Sequence, residues 1–171
     1  RRNGELERAV HNYRRSIDLD PEFVMARSNL GVVMARQGKK REAVVHLEEA
    51  LRRRPEFETA HRNLGYVMYE VGQAEPARKH LDKAVQLKAD QPLLIYVALA
   101  WLYALPTPTA PADPDRAIEL SRAASTMVQG PHPQVLDVLA GALAAKGEFS
   151  QAIAIAQRAL ELASADRKVE M

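Results

Sequence analysis

Apolar residues recur along this chain at helical spacing, broken at regular intervals by Gly and Pro. Leu30, Gly31 and Met34 share one helix face, and Gly38 stands where that face ends. A glycine there accepts the positive φ that closes a helix. From about Lys40 to Arg53 a second stripe follows, with Ala43, Leu47 and Ala50 on one side, and Pro55 then bars continuation. The pattern predicts two helices joined by a short turn. The small residues Gly31, Ala43 and Ala50 are expected to let neighbouring helices approach closely.

The same pattern returns 34 residues on. Ala26/Ala60, Asn29/Asn63, Leu30/Leu64, Gly31/Gly65, Met34/Met68, Gly38/Gly72, Ala43/Ala77, His46/His80, Leu47/Leu81 and Ala50/Ala84 are in phase. Stepping back by the same interval gives Ala9, Tyr13, Ser16 and Pro21, so the chain opens on the second half of a unit, a helix expected over Glu5–Leu19. A fixed period of this length marks a stack of helix pairs.

The pattern resembles the tetratricopeptide repeat, W-x2-L-G-x2-Y, then A-x3-F, then P. Leu30-Gly31, Ala43-x3-Leu47 and Pro55 match it, as do Leu64-Gly65 and Ala77-x3-Leu81. Arg27 and His61 occupy the Trp position, Met34 and Met68 the Tyr position, and Ala89 the Pro. None of these departures breaks the helix pairing. The resemblance implies an all-α fold, a right-handed α-solenoid of antiparallel helix pairs.

The expected organisation is a second helix of a truncated repeat at 1–23, repeats at 24–57 and 58–91, a repeat at 92–131 with a Pro-rich insertion at about 106–114, a repeat at 132–166 and a tail at 167–171. In the fourth unit Pro92–Leu105 is a first helix, and "PTPTAPADP" interrupts before "DRAIELSRAAS". Asp113 before Pro114 reads as a helix start, with Asp as cap and Pro in the first turn. The insertion is expected as an exposed loop at the tip between two helices. The stretch "LDVLAGALAAKGEF" also resembles closing repeats of large bacterial tetratricopeptide proteins, and the start "RRNGELERA" reads as a cut end inside a longer protein.

Composition narrows the function classes. With net charge +2, no strong field steers nucleic acid or an anionic membrane. The runs "RQGKKRE" and "LRRRP" sit at a turn and a helix end, and cations at a helix end complement its dipole. Without Cys there are no disulfides or thiolate metal sites. The five histidines show no ligand spacing, and no phosphate loop, nucleophile elbow or catalytic carboxylate pair is found. The expectation is a non-catalytic domain with no cofactor and no metal. Membrane insertion and nucleic acid are not expected, and the cytoplasm is favoured over the periplasm.

In the family that the pattern resembles, first helices line the concave side and ligands bind there. The stripe so implied runs through Met25, Ser28, Asn29, Val32 and Arg36, then Thr59, Arg62, Asn63, Tyr66, Tyr69 and Glu70, then Leu93, Tyr96, Val97, Ala100 and Tyr103. The candidate peptide-binding residues are Asn29, Arg36, Arg62, Asn63, Tyr66, Tyr69, Tyr96 and Tyr103. An Asn amide offers a donor and an acceptor, enough to hold the backbone of an extended peptide or to bond a neighbouring helix. The position of Asn29 and Asn63 resembles the asparagine ladder of O-GlcNAc transferase. The tyrosines offer rigid amphipathic contact area, or fill the inside of the superhelix against each other. Tyr69 and Tyr103 are 34 apart and expected to be equivalent. Trp101, in phase with Val33 and Val67, is expected in the core. The carboxylate clamp of the family lacks its set of Lys and Asn on successive helices. The leading expectation is a scaffold that holds a protein or extended peptide. The alternatives are a substrate-selecting segment of a larger enzyme, such as a glycosyltransferase, and a structural repeat that self-associates through an open N-terminal end.

Overall fold

The computed structural model describes residues 2–88, 92–108 and 110–169, with side chains described between Gly4 and Ser164. Ala89 at the repeat's proline position, Thr109 within the Pro-rich stretch and the last two residues of the expected tail lie outside the described residues. Among the described residues all regular structure is helical. The chain divides into two compact units, Arg1–Asp90 and Gln91–Met171.

The first unit holds α1 (Arg2–Leu19), α2 (Val24–Arg36), α3 (Lys40–Arg53), α4 (Glu58–Glu70) and α5 (Ala74–Leu87). α2 pairs with α3 and α4 with α5, while α1 packs on α2, α3 on α4, and α2 on α4. The turn between paired helices is built identically twice. Gly38 and Gly72 adopt φ of +80° and +77°. Lys39 N donates to Met34 O and Gln73 N to Met68 O, both at 2.9 Å. Each is the six-to-one bond that closes a helix through a left-handed glycine.

The pairs hold together through leucine in glycine's place. A Cβ on Gly31 would lie 2.7 Å from Leu47 Cγ, and one on Gly65 would lie 2.6 Å from Leu81 Cγ. Ala43, Leu47, Ala50, Ala77, Leu81 and Ala84 are fully buried. The small residues thus bring the helices together as the pattern predicts. In α1 the in-register residues Ala9, Tyr13 and Ser16 are only half-buried, and Val10 is the buried residue that faces α2.

The second unit holds α6 (Leu93–Ala104), α7 (Pro114–Thr126), α8 (Pro133–Lys146) and α9 (Phe149–Val169). α6 pairs with α7 and α8 with α9; α7 and α6 both pack on α8. Trp101 lies on Gly141, where a Cβ would come within 2.8 Å of the indole ring. The indole therefore packs between α6 and α8 but stays half-buried, outside the fully buried core expected of it. Gly147, at φ +88°, repeats the helix closure, with Glu148 N donating to Leu143 O at 2.9 Å.

Between α6 and α7 the chain leaves and returns at one point. Asp113 N donates to Tyr103 O at 2.8 Å. Within the excursion, Thr107 N donates to Ala110 O at 2.8 Å and Ala110 N donates to Thr107 Oγ1 at 3.1 Å. Leu105, Pro106, Pro108 and Pro111 are exposed. Asp113 caps α7, its Oδ1 accepting from Arg116 N at 3.0 Å, with Pro114 in the first turn.

Gly65→Ala should destabilise the chain by about 1–2 kcal/mol, because overpacking against Leu81 outweighs alanine's helix preference. Gly4→Ala, where nothing lies within 4 Å, should cost nothing. Urea denaturation of both variants measures this. Shortening the stretch between Leu105 and Ala112 should change stability by less than about 1 kcal/mol, since loop closure depends weakly on length. Asp113→Ala should cost about 1 kcal/mol through loss of the cap.

Candidate functional site

Six of the eight candidate residues share the first unit. Asn29 and Arg36 stand on α2, and Arg62, Asn63, Tyr66 and Tyr69 on α4. Because α2 packs on α4, these residues lie on adjacent first helices. Asn29 is half-buried and Arg36 exposed. Asn63 reaches across to α2, its Nδ2 donating to Ser28 Oγ at 3.4 Å. So one amide hydrogen of Asn63 bonds a neighbouring helix, the structural role open to it in the repeat. Ser28, expected on the open stripe, is fully buried under this contact.

Arg62 is tied within its own helix. Its Nη1 donates to Glu58 Oε1 at 2.9 Å, an i,i+4 pair in which both side chains are largely covered. One turn on, Tyr66 stands against this pair. Its hydroxyl oxygen is buried and has no hydrogen-bond partner among the described residues. Burial pushes its pKa up to about 12, against the opposing pull of Arg62. The group is therefore a neutral O–H donor throughout the physiological range. Tyr69 is 42% exposed. Next to it, Glu70 ends α4 and pairs with Lys40 of α3 at 3.2 Å. This face thus carries an exposed aromatic ring, a buried donor and two half-buried amides.

The other two candidates, Tyr96 and Tyr103, lie on α6 in the second unit and are half-buried. Tyr103 packs against a core cluster of Ala104, Ala117, Ile118, Ala142, Leu143 and Ala152. It is not equivalent to Tyr69, despite the register, because α7, α8 and α9 all contribute to the cluster beside it. Ala100, also expected on the open stripe, is fully buried. α6 is covered by both α7 and α8, so its exposed face is narrower than its spacing implies.

One polar arrangement escaped the sequence reading. His61 Nδ1 and His80 Nδ1 meet at 2.9 Å, and His61 Nε2 lies 2.9 Å from Pro55 O. One repeat earlier, Arg27 Nη2 donates to Pro21 O at the same distance. The register aligns position 61 with 27 and His80 with His46, but at the earlier junction these positions hold Arg27 and His46, so no repeated ring pair signalled the contact. His46 is also held below the usual imidazole value, by burial first and then by Arg14 and Arg27. Among the described residues no group of three or more His, Cys, Asp or Glu converges to hold a metal ion. Among them, too, no helix is long and apolar enough to cross a membrane.

Comparison with known proteins agrees with this geometry. Residues 1–38 match the family described as TPR repeat, and residues 34–102 the family described as tetratricopeptide repeat. The chain belongs to the tetratricopeptide repeat family, the matched span covering more than half its length. No curated protein gives a significant sequence match. Among solved structures, MamA is 21% identical, with a TM-score of 0.78 over 98% of this chain and 94% of that one. YrrB, described as a TPR protein with an unusual peptide-binding site, is 23% identical, with a TM-score of 0.77 over 92% of this chain and 78% of that one. The O-GlcNAc transferase of Thermobaculum terrenum is 22% identical, with a TM-score of 0.62 over 72% of this chain and 23% of that one. At such identities the likeness is one of fold, an α-solenoid of tetratricopeptide repeats.

Proposed function

We propose that this chain is a protein-interaction scaffold and that the α2–α4 face of its first unit takes an extended peptide or unstructured protein segment. The family membership supports the scaffold role, and YrrB, of the same fold, is described as having a peptide-binding site. The observation that carries the peptide reading is the Tyr66 hydroxyl, buried and without a partner among the described residues. An unmet buried hydroxyl costs about 1–3 kcal/mol, which a peptide carbonyl arriving on this face would recover. Tyr69 beside it supplies exposed ring surface of the kind that anchors interfaces. The oxygen of the Asn63 amide and the amide of Asn29 add capacity to hold a peptide backbone. No catalytic role is assigned to any of these groups.

The test begins with a partner peptide mapped from a pull-down with the intact protein. Tyr66→Phe removes only the hydroxyl. It should leave the free chain as stable as the parent or more stable, while peptide affinity falls by about 1 kcal/mol. Tyr69→Ala should cost about 2 kcal/mol of binding if the ring is an anchor, and Asn63→Ala about 1 kcal/mol. Arg53→Ala should matter little, since Arg53 is engaged with Glu22 and Glu49 at the end of α3. Normal titrations for Tyr66→Phe and Tyr69→Ala, with binding abolished by Arg53→Ala, would place the site on the basic helix ends instead.

A further inference from the structure

α4 and α5 meet at a polar point, the rings of His61 and His80. Their Nδ1 atoms are 2.9 Å apart, the ring centroids 5.1 Å apart and the ring planes tilted by 34°. The rings therefore meet edge to edge, nitrogen to nitrogen. His61 Nε2 faces the Pro55 carbonyl at 2.9 Å. A carbonyl only accepts, so Nε2 carries a hydrogen. In the neutral ring that leaves Nδ1 of His61 as a lone pair, and the hydrogen between the rings belongs to His80 Nδ1. With one ring charged, the bond survives as a charge-assisted one. With both charged, N–H faces N–H and the bond is lost.

The geometry points to an acid-sensitive latch: His61 and His80 share one hydrogen between α4 and α5, and protonation of both rings opens that contact and loosens the helix pair. The latch stands whatever α4 binds. The surroundings favour a pair that resists its last proton. Pro55, Lys79, Asp82, Lys83 and Gln86 line the cleft with the two rings, so two cationic side chains face one carboxylate. Lys83 lies 4.0 Å from Glu56. At the end of α3, Arg52 and Arg53 pair with Glu49, Arg53 also pairs with Glu22, and Arg54 lies over Phe57. On α4, Glu58 is taken up by Arg62. In α2 and α3, Arg27 and His46 are the in-register pair of the preceding repeat. There a guanidinium that never loses its charge holds the Pro21 carbonyl, so that junction has no pair of rings.

His80 is pushed down to about 4, by burial first, then by His61 and Lys79. The folded value lies below the ordinary imidazole value of about 6.5, so the unfolded chain takes its proton first. The latch's contribution to stability is therefore full above about pH 6.5 and is lost as pH falls towards 4. No third ligand converges on the rings among the described residues, so the pair is suited to a proton rather than a metal ion.

The direct test is a nitrogen-resolved NMR titration of the imidazoles in the whole chain, from neutral pH down to about 4. His80 should titrate at least about one pH unit below free imidazole. The hydrogen between the rings should exchange slowly at neutral pH and be lost in the same window. Amide exchange in α4 and α5 should quicken with it. In parallel, urea midpoints should fall less steeply on acidification in His80→Gln than in the parent, since the variant lacks one linked proton. A His80 that titrates like free imidazole overturns the latch, and so does a variant with the parent's pH slope. If His80→Gln does not fold, the titration of the parent decides alone.

Discussion

Leucine fills the volume that glycine leaves open, once in each complete helix pair of the first unit. Leu47 occupies the space over Gly31, and Leu81 the space over Gly65. This contact sets how near the paired helices lie, and much else in the unit depends on that distance. The alanines at 43, 50, 77 and 84 are buried because little room remains beside the leucines. The closures at Gly38 and Gly72 need only three residues because the axes are already close. In the second unit the pairing of large and small recurs in a different place. There an indole covers a glycine between two first helices, rather than a leucine between first and second.

Close packing also shapes the candidate face. Bringing α2 against α4 buries Ser28 and draws the Asn63 amide onto it. The Tyr66 oxygen on α4 is buried as well, with no hydrogen-bond partner among the described residues. Among the described residues of this unit Arg27 Nε, Gln37 Oε1 and the Tyr66 hydroxyl are buried without a partner, and near the last of them Tyr69 adds open ring surface. Buried polar groups left unpaired are uncommon.

The fold was legible in the sequence because its determinants are local. A glycine seven residues after Leu-Gly, a proline at the repeat's end and an Asp-Pro pair each carry their structural consequence in their own chemistry. The site was less legible. Helical spacing places Ser28, Ala100 and Tyr103 on a face, but it does not say which neighbours cover that face. Ser28 is covered by α4, Ala100 by the double packing of α6, and Tyr103 by a cluster assembled from four helices. The contact between His61 and His80 joins positions 19 apart, a separation unrelated to the repeat period. Only the three-dimensional pairing of α4 with α5 brings it into view.

The excursion between α6 and α7 begins and ends on a single backbone hydrogen bond, from Asp113 N to Tyr103 O. Its length is thereby uncoupled from the geometry of the helices it joins. Extra chain placed between those two residues is held at its base, as a stem holds a hairpin. An epitope or a fluorescent reporter grafted there would be displayed at a fixed point. The join offers a natural port for labelling this protein without touching either helix face.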